Sequence, residues 1–547
     1  MVSGSPDRDR VFPRLVALLL VLITAVPYLA GLSVDDPETR FDGVMVFPED
    51  TNAYLAFARQ ASEGRLALKN PFTPEPHEGG LMGIGWWLMG WVAAIPGSTV
   101  EAGFHFVRLL GIALLVLAVH RWCERLFASV FLRRVVLVAV TTGGGFGWLL
   151  TFPWVAERMG DFLALDTFAG LHPFFWMLLA PHFLLAQALF LFTLLAWTKA
   201  ETGESGLLPA TLLAAAVAAT RPFDALVLVA TIVLVQLARA VTGRPSRSRL
   251  IALGPLFGAG VVLAYDVWLF SAHPVFKWWG EQNVVLPPQP GSLAVSLGFV
   301  LPLLVLAVAG MLVRGMGSPL AGGGPDTTTS ADAPDPARLV IGGACVAALG
   351  VVYAYPPLLF TFQALPAVAI PATFVGALVI EAPLSRWRAR MPVLVSLLVL
   401  VLVAAHASTS YLLLEGRTRM AAAGSWRTDR DLLYAFSWFE GEADPDDVVL
   451  AAPETCNLLP RYAPVTAFTG YRYATVEAAT KDRLARLFFL PQVGESFRRD
   501  LIREHGIDFV LVSRAERRAG GWKASASPML RERFSNAAAT IYEVVSD

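Results

Sequence analysis

The residues best suited to chemistry lie in one polar stretch, Phe47 to Gly80, which follows the first long apolar segment of the chain. It begins with the acidic pair Glu49 and Asp50 at the start of a predicted amphipathic helix. It ends with His77 and Glu78, after an Asn-Pro turn. A carboxylate in such a place can accept the proton of a substrate hydroxyl, which is the task of a general base. Asp50 is therefore the first candidate base, and Glu49 the second.

The composition indicates that a membrane protein positions these residues. Of 547 residues, 55% are hydrophobic and only 16% are charged, with a mean hydropathy of +0.56. Soluble domains carry about 25% charged residues. Apolar runs of about 20 residues recur along the chain, as expected for helices that cross a bilayer. The formal net charge of −1 provides no basic field, so we expect no nucleic-acid partner.

The distribution of Lys and Arg predicts the topology, because short cytoplasmic loops are rich in these residues. Arg8, Arg10 and Arg14 precede the first span, so we expect a cytoplasmic N-terminus and a first external loop over residues 33–103. The first apolar segment is too long for a signal peptide and is interpreted as a retained span. The short apolar segment 83–95 is rich in Trp and is predicted to lie in the membrane interface. We predict about eleven spans, at 11–32, 104–122, 135–152, 174–197, 207–219, 223–240, 250–270, 293–313, 339–353, 364–380 and 392–414.

Two domains are expected. Residues 1–414 form the transmembrane domain, which contains a Gly-, Pro-, Asp- and Thr-rich cytoplasmic linker at 315–338. From about Trp426 onwards charged residues return, and strand-like runs alternate with helical ones. Residues 426–547 are therefore predicted to form an α/β domain with a mostly parallel sheet, outside the membrane. The predicted fold class is a polytopic α-helical protein of the cytoplasmic (inner) membrane with a C-terminal extracytoplasmic α/β domain.

Further ionisable residues gather at the predicted outer face, and their positions are informative because charges are costly inside a bilayer. Asp161 and Asp166 lie in the second external loop, and Lys277 lies in the loop after the seventh span. Ordinary solvation of loops is the alternative for each residue taken alone. Asp50 with Asp161 or Asp166 could hold a divalent metal such as Mg²⁺ or Mn²⁺, although carboxylates alone do not specify one.

Residues at two positions next to prolines in predicted helices are candidates to bind an anion. Thr220, Arg221 and Pro222 stand together at the predicted outer end of a helix. A helix N-terminus combined with an Arg can bind phosphate, and a structural cap is the alternative. Pro181 predicts a kink in the fourth span, which would turn His182 towards the same face. A core histidine with a local partner is the alternative for His182.

The layout and several motifs resemble the GT-C superfamily of polyprenyl-phosphate-sugar-dependent glycosyltransferases. These motifs are PEDTNAYLAFARQASEG and NPFTPEPHEG in the first loop, GGGFGWL near span three, APHFLLA in span four, TRPFDAL at span six and AAPETCNLLPRYAPVTAFTG in the C-terminal domain. The resemblance implies a catalytic Asp or Glu in the first external loop and a lipid-linked sugar as donor. The acidic pair is Glu-Asp rather than Asp-Asp or Asp-Glu, and a WWDYG-like motif is absent from the sequence. Both departures argue against protein N-glycosylation.

The resemblance implies an inverting transfer, which needs a carboxylate to accept the acceptor's proton and cations or helix dipoles to stabilise the leaving phosphate. We expect Arg221, Lys277 and His182 to contact that phosphate. The expected partners are a polyprenyl-phosphate sugar donor, a glycan, lipid or protein acceptor, and the bilayer. One alternative is a transporter or flippase of a lipid-linked sugar, a class that usually shows internal repeats and broken helices. Another is a non-catalytic membrane scaffold whose C-terminal domain binds a partner.

Overall fold

The computed structural model describes residues 6–45, 47–159, 165–168, 170–242, 250–315, 335–355 and 361–545. The chain divides into two compact units. The first unit comprises Met1–Ala25, Arg108–Ala264 and Val285–Gly416, and the second comprises Val26–Val107, Tyr265–Val284 and Arg417–Asp547. The predicted first loop, residues 33–103, falls in the second unit together with the C-terminal residues.

Helices dominate the chain up to residue 422. They are α1 (Pro6–Leu32), α2 (Pro48–Ser62), α3 (Ile84–Ala93), α4 (Val100–Leu126), α5 (Val130–Thr142), α6 (Pro153–Met159), α7 (Leu165–Phe168), α8 (Pro173–Leu179), α9 (Pro181–Thr202), α10 (Leu208–Thr220), α11 (Pro222–Val241), α12 (Leu250–Ala272), α13 (Pro274–Gln282), α14 (Pro290–Leu297), α15 (Val300–Gly315), α16 (Pro336–Val352), α17 (Ala369–Arg390) and α18 (Pro392–Ala422). Short 3-10 turns cover Gly147–Thr151 and Thr361–Ala367.

The lengths and composition of these helices confirm a polytopic membrane protein. Among the described residues, 7 helices are long and apolar enough to cross a membrane, namely α1, α4, α9, α11, α12, α17 and α18. Helices α14 and α15 together would form an eighth span, bent by 103°. Helices α5, α10 and α16 lie at the remaining predicted spans but have only 13, 13 and 17 residues. The described residues thus contain seven or eight full-length spans where about eleven were predicted.

The C-terminal residues form a mixed sheet. Its strands are β3 (Val448–Leu450), β4 (Thr466–Ala467), β5 (Ile507–Val512), β6 (Leu530–Ser535) and β7 (Thr540–Val544), in the order β4-β3-β5-β7-β6. Strand β3 is parallel to β4 and β5, whereas β7 is antiparallel to β5 and β6. The prediction of a mostly parallel sheet was therefore wrong for the half of the sheet that contains β7 and β6. Strand β6 escaped prediction because Arg531, Glu532 and Arg533 break the apolar alternation typical of a strand.

Helices cover both faces of this sheet, which explains its buried strands. The helices are α19 (Arg430–Glu442), α20 (Pro453–Tyr462), α21 (Ala478–Phe488), α22 (Glu495–His505) and α23 (Arg514–Gly520). Along β5, Phe509 and Leu511 enter one apolar cluster, and Val510 and Val512 enter the other. This alternation is expected where side chains of successive residues point to opposite faces. A separate short ladder joins β1 (Thr39–Phe41) to β2 (Arg427–Asp429) in antiparallel register, so the first loop begins beside the C-terminal residues.

Candidate active site

Helix α2 positions the acidic pair of the first loop. Pro48 occupies the first turn, where its fixed φ suits the helix, and Glu49 and Asp50 follow it. Negative charge is favoured at this end of a helix by the partial positive charge of the backbone N–H groups. The N-cap residue is Phe47, in a left-handed conformation with φ 46° and ψ 58°, and the N-cap forms no side-chain bond. Asp50 lies inside the first turn, so the N-cap position belongs to another residue.

The Asp50 carboxylate is held by a residue from the far end of the chain. The hydroxyl of Tyr471 donates a hydrogen bond to Asp50 Oδ1 over 3.0 Å. Burial raises the pKa of Asp50 above 3.8, and the negative charge of Glu49 raises it further. The hydrogen bond from Tyr471 and the positive charge of Arg472 act in the opposite direction and lower the pKa. A carboxylate whose pKa is raised towards the working pH is a better general base than an ordinary one. Glu49, by contrast, is exposed.

A buried polar network fixes α2 against α20. Arg461 is 1% exposed, and its guanidinium contacts Glu101 Oε1 at 2.6 Å and Asn52 Oδ1 at 3.0 Å. Asn52 donates to Asn457 Oδ1 over 2.8 Å, and Asn457 donates to the carbonyl oxygen of Glu49 over 3.2 Å. A buried charge persists where a partner and hydrogen bonds offset its desolvation. The helix that carries Asp50 is therefore positioned by residues of the C-terminal part of the chain.

The second half of the first loop is also held by hydrogen bonds to the C-terminal part of the chain. Asn70 Nδ2 donates to the carbonyl oxygen of Ala474 over 2.7 Å. The carbonyl oxygen of Pro71 accepts a hydrogen bond from the backbone N–H of Ala467, in β4, over 2.8 Å. The hydroxyl of Thr475 donates to the carbonyl oxygen of Phe72 over 2.8 Å. The NPFTPE segment therefore lies along one edge of the sheet.

His77 has the contacts of a structural histidine. Its Nε2 accepts a hydrogen bond from the backbone N–H of Asn70 over 2.9 Å, and its Nδ1 lies 2.7 Å from the carbonyl oxygen of Glu75. Burial lowers the pKa of His77, which favours the neutral ring that this pattern requires. Glu78 is exposed. His77 and Glu78 stay candidate site residues, without an assigned role.

Asp166 holds a glycine turn in the first unit. Its Oδ2 accepts hydrogen bonds from the backbone N–H groups of Gly145 and Gly147 at 2.9 and 3.0 Å. A Cβ atom at Gly147 would lie 2.5 Å from Asp166 Oδ1, and one at Gly145 would lie 2.2 Å from the carbonyl oxygen of Ser296. Only glycine permits such close approach of the backbone. This turn ends α5 at Thr142, whereas the sequence predicted a span to residue 152.

The described residues do not provide a metal site. No group of three His, Cys, Asp or Glu side chains comes together among them. The Asp166 carboxylate accepts hydrogen bonds from the backbone N–H groups of Gly145 and Gly147. Asp161 lies outside the described residues.

Arg221 forms a buried ion pair. Its Nη1 lies 2.8 Å from Asp224 Oδ2, its Nη2 donates to the carbonyl oxygen of Gln363 over 2.8 Å, and its guanidinium lies 3.9 Å from the ring centre of Phe183. Arg221 is itself the N-cap residue of α11, and its side chain forms no cap bond. Thr220 was expected to cap this helix, but its hydroxyl donates back into α10. These contacts give Arg221 an ion pair in place of the suggested helix cap, and its role as a phosphate partner stays a prediction.

The other two cations proposed for the phosphate differ in exposure. Helix α8 ends at Leu179 and α9 begins at Pro181, so the helix is interrupted where the proline predicts a kink. His182 lies in the first turn of α9 and is buried. Lys277, on α13, has a side chain that is 56% exposed, and its Nζ lies 3.8 Å from Glu281 Oε1. The ammonium group of Lys277 is thus accessible to a ligand.

Sequence reasoning missed Tyr471 and Arg472. Tyr471 follows directly after the C-terminal motif that ends at Gly470, but nothing in that motif indicates a partner 421 residues earlier. Arg472 is exposed, and its charge acts on Asp50. A hydrogen bond of this range follows from the tertiary fold, so no local pattern could have found it.

Comparisons with known proteins identify the fold. No family model and no curated protein matches the chain. The apo oligosaccharyltransferase of Archaeoglobus fulgidus is similar in structure, with 12% sequence identity and a TM-score of 0.53, over 92% of this chain and 69% of that chain. ArnT from Cupriavidus metallidurans bound to undecaprenyl phosphate gives 14% identity and a TM-score of 0.48, over 97% and 98% of the two chains. Arabinosyltransferase EmbB from Mycobacterium smegmatis gives 12% identity and a TM-score of 0.39, over 98% and 46%.

These three enzymes are membrane glycosyltransferases of the GT-C superfamily. At this level of identity, the likeness to the archaeal oligosaccharyltransferase concerns the fold. The chain has the fold of the GT-C membrane glycosyltransferases, as the motifs of its sequence suggested.

Proposed function

We propose that the protein is a glycosyltransferase. It transfers a sugar from a polyprenyl-phosphate-linked donor to an acceptor hydroxyl at the outer face of the cytoplasmic membrane. The observation that carries this proposal is the carboxylate of Asp50, which the first loop presents at the start of α2. The GT-C fold supports it, because the archaeal protein that shares the fold is an oligosaccharyltransferase. The lipid-linked donor follows from the resemblance of the loop motifs to that superfamily.

In the proposed reaction, Asp50 takes the proton of the acceptor hydroxyl while the hydroxyl oxygen attacks the anomeric carbon of the sugar. The bond between that carbon and the phosphate oxygen of the donor breaks. The electron pair leaves with the phosphate, which stays attached to the polyprenyl chain. Attack opposite the leaving group inverts the configuration of the anomeric carbon.

The leaving phosphate needs positive charge to stabilise it. Lys277 is the preferred candidate, because its ammonium group is exposed and it belongs to the same compact unit as Asp50. Arg472 is a second candidate, since its charge already acts on Asp50. Arg221 and His182 are less suited to this role, because both side chains are buried.

The change Asp50→Asn tests the base. We expect turnover to fall by about 10²–10⁴-fold, the contribution typical of a general base. Donor binding should persist, because the two side chains are nearly isosteric. The assay follows sugar transfer by the purified protein from a panel of synthetic polyprenyl-phosphate donors. Mass spectrometry of surface glycans in a deletion strain would select the sugars for this panel.

The matched control is Glu49→Gln, which removes the neighbouring carboxylate and should leave most of the turnover. Near-normal transfer by Asp50→Asn, together with an active Glu49→Gln variant, would remove Asp50 from the mechanism. Loss of activity in Glu49→Gln alone would move the role of base to Glu49.

A transporter of lipid-linked sugars is the competing function. The feature that favours it is the broken pair α14 and α15, bent by 103°, because broken helices are common in transporters. A transporter moves the intact donor and needs no base, so Asp50→Asn would leave it active. Movement of a labelled donor across vesicles, with no sugar transferred to any acceptor, would support this function instead.

A further inference from the structure

We propose that Tyr471 is a positioning residue that orients the carboxylate of Asp50 for proton transfer. Its hydroxyl occupies Oδ1 and leaves Oδ2 to face the acceptor. This inference rests on the proposed role of Asp50 as the base, and it assigns the C-terminal part of the chain a direct part in arranging the reaction.

The ring of Tyr471 is held firmly enough for this task. It is 6% exposed and packs in a buried cluster with Phe72 and with Ala53 and Ala56 of α2. The rings of Tyr471 and Phe72 meet edge to face, with centroids 5.7 Å apart. The alanines follow Asp50 along the same helix, and their small side chains let the ring approach close to α2. The hydroxyl is thus directed by packing as well as by its hydrogen bond.

The backbone at Tyr471 is attached to the same frame that holds α2. Gly470 has φ 122°, and a Cβ atom there would lie 2.5 Å from the backbone nitrogen of Asn457, so this contact requires glycine. The N–H of Tyr471 donates to the hydroxyl of Thr475 over 3.3 Å. Asn457 also donates to the carbonyl oxygen of Glu49. Both ends of the bond between Tyr471 and Asp50 are therefore fixed to α20, as a precise catalytic geometry requires.

The Asp50 side chain is half-buried, and the hydrogen bond from Tyr471 uses one of its two carboxylate oxygens. Among the described residues, the Tyr471 hydroxyl is the hydrogen-bond donor that reaches the Asp50 side chain, and it does so at Oδ1. The charged groups that act on this carboxylate are Glu49 on its own helix and Arg472 beside Tyr471. A carboxylate that is held by a hydrogen bond at Oδ1 has Oδ2 left to accept the proton, so the proposal assigns the transfer to a defined atom.

Removal of the hydroxyl should change the acidity of Asp50 in a known direction. A hydrogen bond to the ionised carboxylate favours the charged form, so it lowers the pKa of Asp50. The change Tyr471→Phe removes that bond and keeps the ring. We expect the pKa of Asp50 to rise by about one pH unit, the size expected for one hydrogen bond to a charged group.

Infrared titration of the purified protein in detergent tests this expectation without any substrate. The carboxyl band of Asp50 is the one that disappears in Asp50→Asn. In Tyr471→Phe the midpoint of this band should move up by about one pH unit, and in the matched control Tyr473→Phe it should not move. An unchanged midpoint in Tyr471→Phe would overturn the proposal.

A second replacement keeps the test decisive if Tyr471→Phe does not fold. Exchange of Tyr471 for 3-fluorotyrosine keeps the shape of the ring and makes the hydroxyl a stronger donor, so the midpoint should move down. No movement there would also overturn the proposal. With a donor that is transferred, the acid limb of the pH profile of kcat/KM should shift in the same direction as each midpoint. A purely structural role would lower activity equally at all pH values and leave the limb in place.

The same experiments separate this proposal from the proposed function. If Asp50→Asn remains active while Tyr471→Phe moves the Asp50 midpoint, the contact is real and the catalytic role fails. If Asp50→Asn is inactive and Tyr471→Phe leaves the midpoint unchanged, the catalytic role stands and the positioning role fails.

Discussion

The buried guanidinium of Arg461 leads to a quantitative prediction about the frame of the site. It is paired with Glu101, whose side chain is only 10% exposed, and it donates to Asn52 on the helix of Asp50. The change Arg461→Met keeps the apolar stem of the side chain and removes the charge. Removing one partner of a buried ion pair costs about 3–5 kcal/mol, because the other charge stays buried without compensation. We expect a loss of that size in the free energy of unfolding.

Equilibrium unfolding in guanidinium chloride, in detergent and followed by circular dichroism, measures this loss. The double change Arg461→Met and Glu101→Met should recover most of it, since apolar replacement of a whole buried pair is often nearly neutral. The matched control is Arg486→Met, which breaks the ion pair with Glu454. Those two side chains are 56% and 63% exposed, so this change should cost less than about 1 kcal/mol. Equal losses in Arg461→Met and Arg486→Met, or no recovery in the double variant, would refute the reasoning.

Two further predictions concern the first unit. Arg221→Ala should cost about 3–5 kcal/mol in unfolding free energy, because it leaves Asp224 buried and unpaired. Addition of Asp224→Ala should restore part of that stability, and lost donor affinity in this stable double variant would show that Arg221 binds phosphate after all. Gly147→Ala should lower the thermal midpoint, since its Cβ would lie 2.5 Å from Asp166 Oδ1. The control is Gly350→Ala, because a Cβ atom at Gly350 meets no atom within 4 Å and alanine favours the helix there. Unchanged thermal midpoints in both variants would contradict the close packing at Gly147.

The membrane part of the fold could be predicted from the sequence because its signal is local. Apolar runs such as 392–414 are long enough to reveal a span without any partner, and α18 covers this run. The glycine turn after Thr142 was harder to predict. The run GGG is visible in the sequence, but its effect depends on Asp166, which is brought against it by the tertiary fold.

The site could be predicted only in part, for the same reason. The acidic pair and the helix that follows it are features of neighbouring residues, and the sequence predicted both. The partners of this helix come from positions 457, 461 and 471, and hydrogen bonds that close a loop of 400 residues or more leave no periodic pattern. The pair of Arg221 and Asp224 lies within one helical turn, yet the sequence left a helix cap and a phosphate site as the alternatives and did not indicate this ion pair.

The attachment of the first loop to the edge of the sheet has a consequence for biosynthesis. The carbonyl oxygen of Pro71 pairs with the backbone N–H of Ala467, so the loop covers strand β4, which is otherwise an open edge of the sheet. A ribosome makes Pro71 long before Ala467. Until residues 457–471 have been made, the helix of Asp50 lacks the residues that hold it. Without the loop, β4 offers its unpaired backbone groups to other chains, as exposed edge strands do. A chain truncated before Tyr471 is consequently left with a loop that cannot complete the candidate active site.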